Sequence, residues 1–149
     1  PSGYTIHSVP GKTTTVLGSY EPDMKKVIEE IGNLKNSNFD AKEGGFNVLN
    51  MPDNYYTANP DKFWDDYNKP FLDEAIKRGD NIVLATNPLE INRLFIDLGE
   101  IPSLDNIDKL AIYLKDFKDV DNLKGFGKEL KYLFENGYSY DAVKNVFLK

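Results

Sequence analysis

The stretch 69–86, "KPFLDEAIKRGDNIVLAT", decides the fold. Pro70 disfavours an unbroken helix through it, so a break is expected at Asn68-Lys69 and a new helix over "PFLDEAIKRG". Phe71, Leu72, Ala75 and Ile76 recur at helical spacing and form its buried face. Gly79 is placed to end that helix, and "NIVLAT" (81–86) follows at once as the most apolar strand of the chain. Such a strand belongs in the middle of a sheet. Asn87-Pro88 stops it.

Working towards the N-terminus, Asn59-Pro60 opens a helix over "NPDKFWDDYN", with Phe63, Trp64 and Tyr67 as its apolar face. "FNVLNMP" (46–52) reads as a strand closed by Pro52. "GSYEPDMKKVIEEIGN" (18–33) reads as a short helix burying Met24, Val27, Ile28 and Ile31, with Pro22 at its first position. "TTTVLG" (13–18) is a β-branched strand ending at Gly18. The Gly11-Lys12-Thr13 before it imitates the end of a phosphate-binding loop. That loop needs another glycine five positions earlier, where Ile6 stands, and a helix afterwards rather than a strand.

On the C-terminal side, Ile91, Leu94, Phe95 and Leu98 form a helical stripe ending at Gly99. A second stripe runs through Leu104, Ile107, Leu110, Ala111, Leu114 and Phe117, with Ser103 as its cap. "GFGKELKYLFENGY" (125–138) is a third helix, burying Leu130, Leu133 and Phe134. The tail "YSYDAVKNVFLK" is a strand or a small hairpin around Asp141 to Asn145. These elements predict one α+β domain over 1–149, with a small central sheet of about four strands packed with several helices.

Composition narrows the chemistry. With 149 residues, 28% of them charged, the chain is long enough for one globular core. There is no cysteine, which excludes disulfide scaffolds, cysteine-ligated zinc and a cysteine nucleophile. His7 is the single histidine, so His-rich metal sites are excluded as well, and neither metal nor cofactor is expected. A net charge of −6 argues against generic attraction to nucleic acid. A nucleic-acid enzyme then needs a local cationic patch or a helper that presents the substrate. The chain opens on Pro1 rather than Met, as expected of a piece of a longer protein.

Four blocks carry a resemblance: "GKTTTVLGSYEPDMKKVIEEI", "GGFNVLNMPDNYY", "FWDDYNKPFLDEAIKRGDNIVLAT" and "GFGKELKYLFENGYSYD". In wording and order the chain resembles the C-terminal toxin domains of bacterial contact-dependent growth inhibition effectors and related polymorphic toxins. The stretch from Leu89 to Leu123 matches less well and reads as a helical elaboration. The resemblance implies a toxin delivered from a cell-surface effector into the cytoplasm of a target cell. It also implies a cognate immunity protein, ribonuclease activity (often against tRNA) and, for some members, dependence on elongation factor Tu.

Site residues come from side-chain chemistry rather than from the resemblance. Metal-independent transesterification of RNA needs a base, an acid and a cation for the phosphorane. His7 suits the base, and Lys69 and Arg78 suit the phosphate. Asp80, Thr86 and Glu129 are supporting groups, Asp80 and Glu129 because each falls in a glycine-flanked turn. Lys12, Thr14 and Trp64 are expected to touch the substrate. Arginine occurs only at Arg78 and Arg93, which gives each weight as a phosphate clamp. The alternative for Arg78 is to complement a helix C-terminus, with little importance for folding. For the whole chain the alternatives are an NAD-consuming or ADP-ribosylating effector, with Asp80 or Glu129 as its key carboxylate, and a non-enzymatic binding module.

Overall fold

The computed structural model describes residues 13–30, 46–49 and 62–149. Among them are β1 (Thr14–Leu17), α1 (Lys25–Glu30), β2 (Phe46–Asn47), α2 (Lys69–Arg78) and β3 (Asn81–Leu84). There follow α3 (Ile107–Asp116), α4 (Gly125–Glu135), β4 (Ser139–Asp141) and β5 (Val146–Leu148). The five strands form one mixed sheet in the order β2-β1-β3-β5-β4, so the "NIVLAT" strand is central as expected. β1 is parallel to both β2 and β3, whereas β5 is antiparallel to β3 and β4. The class is α+β, with one strand more than expected because the tail closes as a hairpin.

Side-chain alternation along the strands sorts the core into two layers. Val16 and Val83 turn to one face, with Met24, Val48 and Ala85, and Val27 and Ile28 of α1 cover it. Leu17, Ile82 and Leu84 turn to the other, against Phe71 and Leu72 of α2, Leu110 and Leu114 of α3, and Leu130 and Leu133 of α4.

Gly79 ends α2 at φ +74°, a left-handed conformation that a side chain strains. Its N–H bonds Ile76 O at 3.1 Å, and Asp80 N–H bonds Ala75 O at 3.0 Å, closing the helix. Gly127 is required by space instead. A Cβ there would lie 2.4 Å from Leu94 O, where α4 crosses the preceding loop.

Four local expectations are corrected. No break occurs at Asn68-Lys69: Asn68 has helical angles (φ −65°, ψ −51°), and a wide turn over Trp64–Asn68 runs straight into α2. The Lys69 N–H reaches back to Trp64 O, so the backbone widens just ahead of Pro70 and the proline is accommodated without a stop. The stripe at Ile91 to Leu98 is not an α-helix. It makes a single 3₁₀ turn (Ile91–Arg93), after which Phe95 bridges Leu123 and the chain is tied to residues 122–124 by backbone bonds. The cap of α3 is Asn106, whose side chain accepts from Lys109 N–H, and not Ser103. Glu129 lies within α4, not in a turn.

Candidate active site

The wide turn before α2 carries Trp64 and Asn68, and α4 lies against it. A Cβ on Gly125 would sit 3.8 Å from Asn68 Nδ2, so the first turn of α4 faces that amide. Positions 125, 129 and 132 follow one another at i+4 and i+3 along one stripe of α4. At its far end Tyr132 meets Trp64 edge-to-face, ring centroids 5.7 Å apart at 79°. The Lys69 ammonium stands 5.7 Å from the centre of the Tyr132 ring. The Tyr132 hydroxyl donates to Asp73, which also holds Lys69 Nζ at 3.8 Å. Glu129 therefore belongs to the stripe turned to the Trp64–Asp73 segment, between its two anchor points.

Two polar side chains in this seam are largely buried, Asn68 at 8% exposure and Glu129 at 7%. Burial alone pushes the Glu129 carboxyl up to about 8, so at neutral pH it mostly keeps its proton. Desolvation, with the Asp73 acceptor adding to it, pushes the Tyr132 phenol up to about 12 and keeps it a donor. Lys69 is half exposed. The seam thus combines a retained acid proton, an ammonium and aromatic surface, three of whose carriers (Trp64, Lys69 and Glu129) were candidates by sequence.

The other candidates lie elsewhere. Asp80 is buried before β3, where Arg78 grips it through Nε at 3.1 Å and Nη2 at 2.8 Å. Thr15 Oγ1 donates to the same carboxylate at 2.7 Å, and Asn47 Nδ2 donates to Thr15 Oγ1 at 3.1 Å. Arg78 therefore faces a buried carboxylate rather than a phosphate. Asp80 and burial together raise the Tyr138 phenol, burial being the larger cause. Thr14 is fully buried in β1, out of reach of a substrate. Thr86 sits past the other end of β3, with the four strand residues Asn81–Leu84 between it and Asp80, each spanning ~3.3 Å. It donates to Asp23 at 2.6 Å and accepts from Ser19 N–H at 2.8 Å. Asp80 and Thr86 cannot serve one reacting centre. Arg93 stands near that end, donating to Glu21 O at 3.0 Å. His7 and Lys12 lie outside the described residues.

No family model, curated protein or solved structure matches this chain. Among the described residues no group of three or more His, Asp or Glu side chains is placed to hold a metal ion. Asn68, Asp73 and Tyr132 were not legible in sequence as site residues. Their only signal was the proximity of Asn68 and Asp73 to Lys69, and Tyr132 joins them solely through the packing of α4.

Proposed function

We propose that this chain is an antibacterial toxin domain that cleaves RNA, tRNA being the leading substrate, by metal-independent transesterification in the seam between α2 and α4. The observation that carries the reading is Glu129, a carboxyl that burial keeps protonated, on the same helix as Tyr132, whose ring lies under Lys69. The four sequence blocks that resemble contact-dependent growth inhibition toxins support it. In the reaction the 2′-oxygen attacks the adjacent phosphorus and the bond to the 5′-oxygen breaks. Glu129 gives its proton to that leaving oxygen, and Lys69 balances the charge of the phosphorane. His7, which lies outside the described residues, is the candidate to take the 2′-hydroxyl proton, histidine being the usual general base. An immunity protein in the producing cell and a tRNA-presenting helper such as elongation factor Tu belong to the same reading.

One observation favours a second reading. β1 lies between β2 and β3, all parallel, and the gap between the ends of β1 and β3 is a topological switch point where nucleotides bind in open α/β sheets. Thr86, Asp23 and Ser19 meet there. That arrangement would suit an NAD-consuming effector.

The two are separated by incubating the protein with total RNA and with NAD, each with and without cell extract. Discrete RNA fragments, lost in Glu129→Gln, support the ribonuclease. Loss of NAD with intact RNA overturns it.

A further inference from the structure

We infer that Tyr132 is a positioning residue: through Asp73 it holds the Lys69 ammonium, and so ties that cation to the helix that carries Glu129. The inference rests on the ribonuclease reading for its consequence, that the two groups act on one phosphodiester.

Lys69 and Glu129 stand on different helices, so a reaction that uses both needs a side-chain link between α2 and α4. Asp73 supplies one half of it. It lies one turn after Lys69 on α2, and its two oxygens are divided. Oδ2 faces Lys69 Nζ at 3.8 Å, while Oδ1 accepts from the Tyr132 hydroxyl. Tyr132 supplies the other half, three residues after Glu129 on α4. Its ring lies 5.7 Å under the same ammonium, within the range of a cation–π contact. Trp64 meets that ring edge-to-face from the turn before α2 and sets its angle. Both ends of the link stand on firmly packed backbone, because Leu72 beside Asp73 and Leu133 beside Tyr132 are fully buried. An exposed i,i+4 pair by itself holds a lysine weakly, since two flexible side chains must be ordered to make it. Here the carboxylate is already oriented from the opposite helix, so less freedom is lost when the ammonium settles beside it. At 3.8 Å the Asp73 contact is charge attraction rather than a hydrogen bond. The N–H donors of Lys69 therefore stay available to a phosphate.

Acetylation of each lysine by acetic anhydride, followed by mass spectrometry, reads the link without any RNA. An amine reacts only when it leaves its partners. Tyr132→Phe keeps the ring and deletes the hydroxyl, and it should raise the acetylation rate of Lys69 ~3-fold. Lys25 and Lys109, in ion pairs within their own segments, should be unchanged and serve as controls. Asp73→Asn, on an exposed position of α2, should give the same result and stands in if Tyr132→Phe fails to fold. In single-turnover cleavage of total RNA, Tyr132→Phe should slow the chemical step ~10-fold with affinity within about twofold. In the Lys69→Gln background the same change should cost less than about twofold, because the group it positions is gone. A Lys69 acetylation rate that neither variant changes overturns the inference, with or without cleavage. So does an equal loss of cleavage in the two backgrounds, which would make Tyr132 act without Lys69. Faster acetylation confined to Lys69, in a protein whose parent cuts no RNA, upholds the link and overturns the ribonuclease reading.

Discussion

Arg78 and Asp80, two residues apart across Gly79, form a two-point ion pair at 3.1 and 2.8 Å in which the carboxylate is almost fully buried and the guanidinium only about a quarter exposed. The left-handed Gly79 turns the chain so that the end of α2 and the start of β3 can face each other. Removing the cation leaves Asp80 with the Thr15 hydroxyl and without a countercharge. Breaking a buried pair from one side is costly, because the remaining charge stays desolvated. Arg78→Ala should therefore lose about 2–4 kcal/mol of stability in urea denaturation, and a loss of activity in that variant would report folding. An unchanged urea midpoint would show that the pair is idle.

Thr86 ties the switch-point end of the sheet. Its hydroxyl is fully buried between the Asp23 carboxylate and the Ser19 N–H. Thr86→Val keeps the shape and deletes both bonds, and it should cost about 1–3 kcal/mol. Since the proposed reaction uses neither Thr86 nor Asp23, the folded variant should retain its cleavage rate. A folded but inactive Thr86→Val would move the chemistry to the switch point.

Much of the fold was legible because local and tertiary preferences agree. β-Branched runs at 14–17 and 81–84 became strands, and Gly79 stopped its helix. The stripe Ile91–Leu98 failed because Leu94 and Phe95 can be buried without a helix. Pro88 and Pro102 bracket the segment, and pairing with residues 122–124 satisfies its backbone, leaving Leu98 45% exposed. Ser103 lost the cap to Asn106, which stands directly before the regular turns. The seam itself was half legible. Trp64 and Lys69 stood out by residue type and Glu129 by a glycine-flanked turn that is in fact helix, but Tyr132 and Asn68 acquire meaning only when α4 crosses the wide turn, a long-range contact that periodicity does not encode.

Glu129 should make stability depend on pH in the unusual direction. The folded chain holds its proton up to about pH 8, the unfolded chain only to about 4.5. Raising pH through that window removes the proton more readily from the unfolded state, so folding weakens as pH rises. Glu129→Gln, a neutral isostere, lacks this term. The variant should match the parent below pH 4.5 and exceed it by up to roughly 3–5 kcal/mol at pH 8. Parallel stability curves for the two proteins from pH 4 to 8 would mean that the carboxyl is solvated.

Lys69 offers a clean separation of chemistry from folding. Its side chain is 46% exposed and its ion pair with Asp73 is long, so Lys69→Gln should leave the melting temperature nearly unchanged. If the ammonium balances the phosphorane, the single-turnover cleavage rate should fall on the order of 10²-fold. A rate within about threefold of the parent would remove Lys69 from the reaction, since a single stabilising charge of this kind is worth far more.

Salt dependence tests how the protein holds RNA. With Arg78 occupied by Asp80, the phosphate contacts left by this reading are Lys69, in the seam, and Lys12, outside the described residues. Two neutralised phosphates on a single strand give a slope of roughly −1.4 for log affinity against log salt. A chain of charge −6 adds no long-range attraction. Affinity of the protein alone should thus be no better than the ~10⁻⁴ to 10⁻⁶ M of non-specific binding. A partner that binds both tRNA and this protein would raise the effective substrate concentration without new phosphate contacts from this chain. Adding purified elongation factor Tu should therefore accelerate tRNA cleavage at fixed salt while the slope for isolated RNA stays shallow. Binding by the protein alone that is tight and falls with a slope steeper than about −4 would require a basic groove, and it would overturn both the helper and the two-contact account.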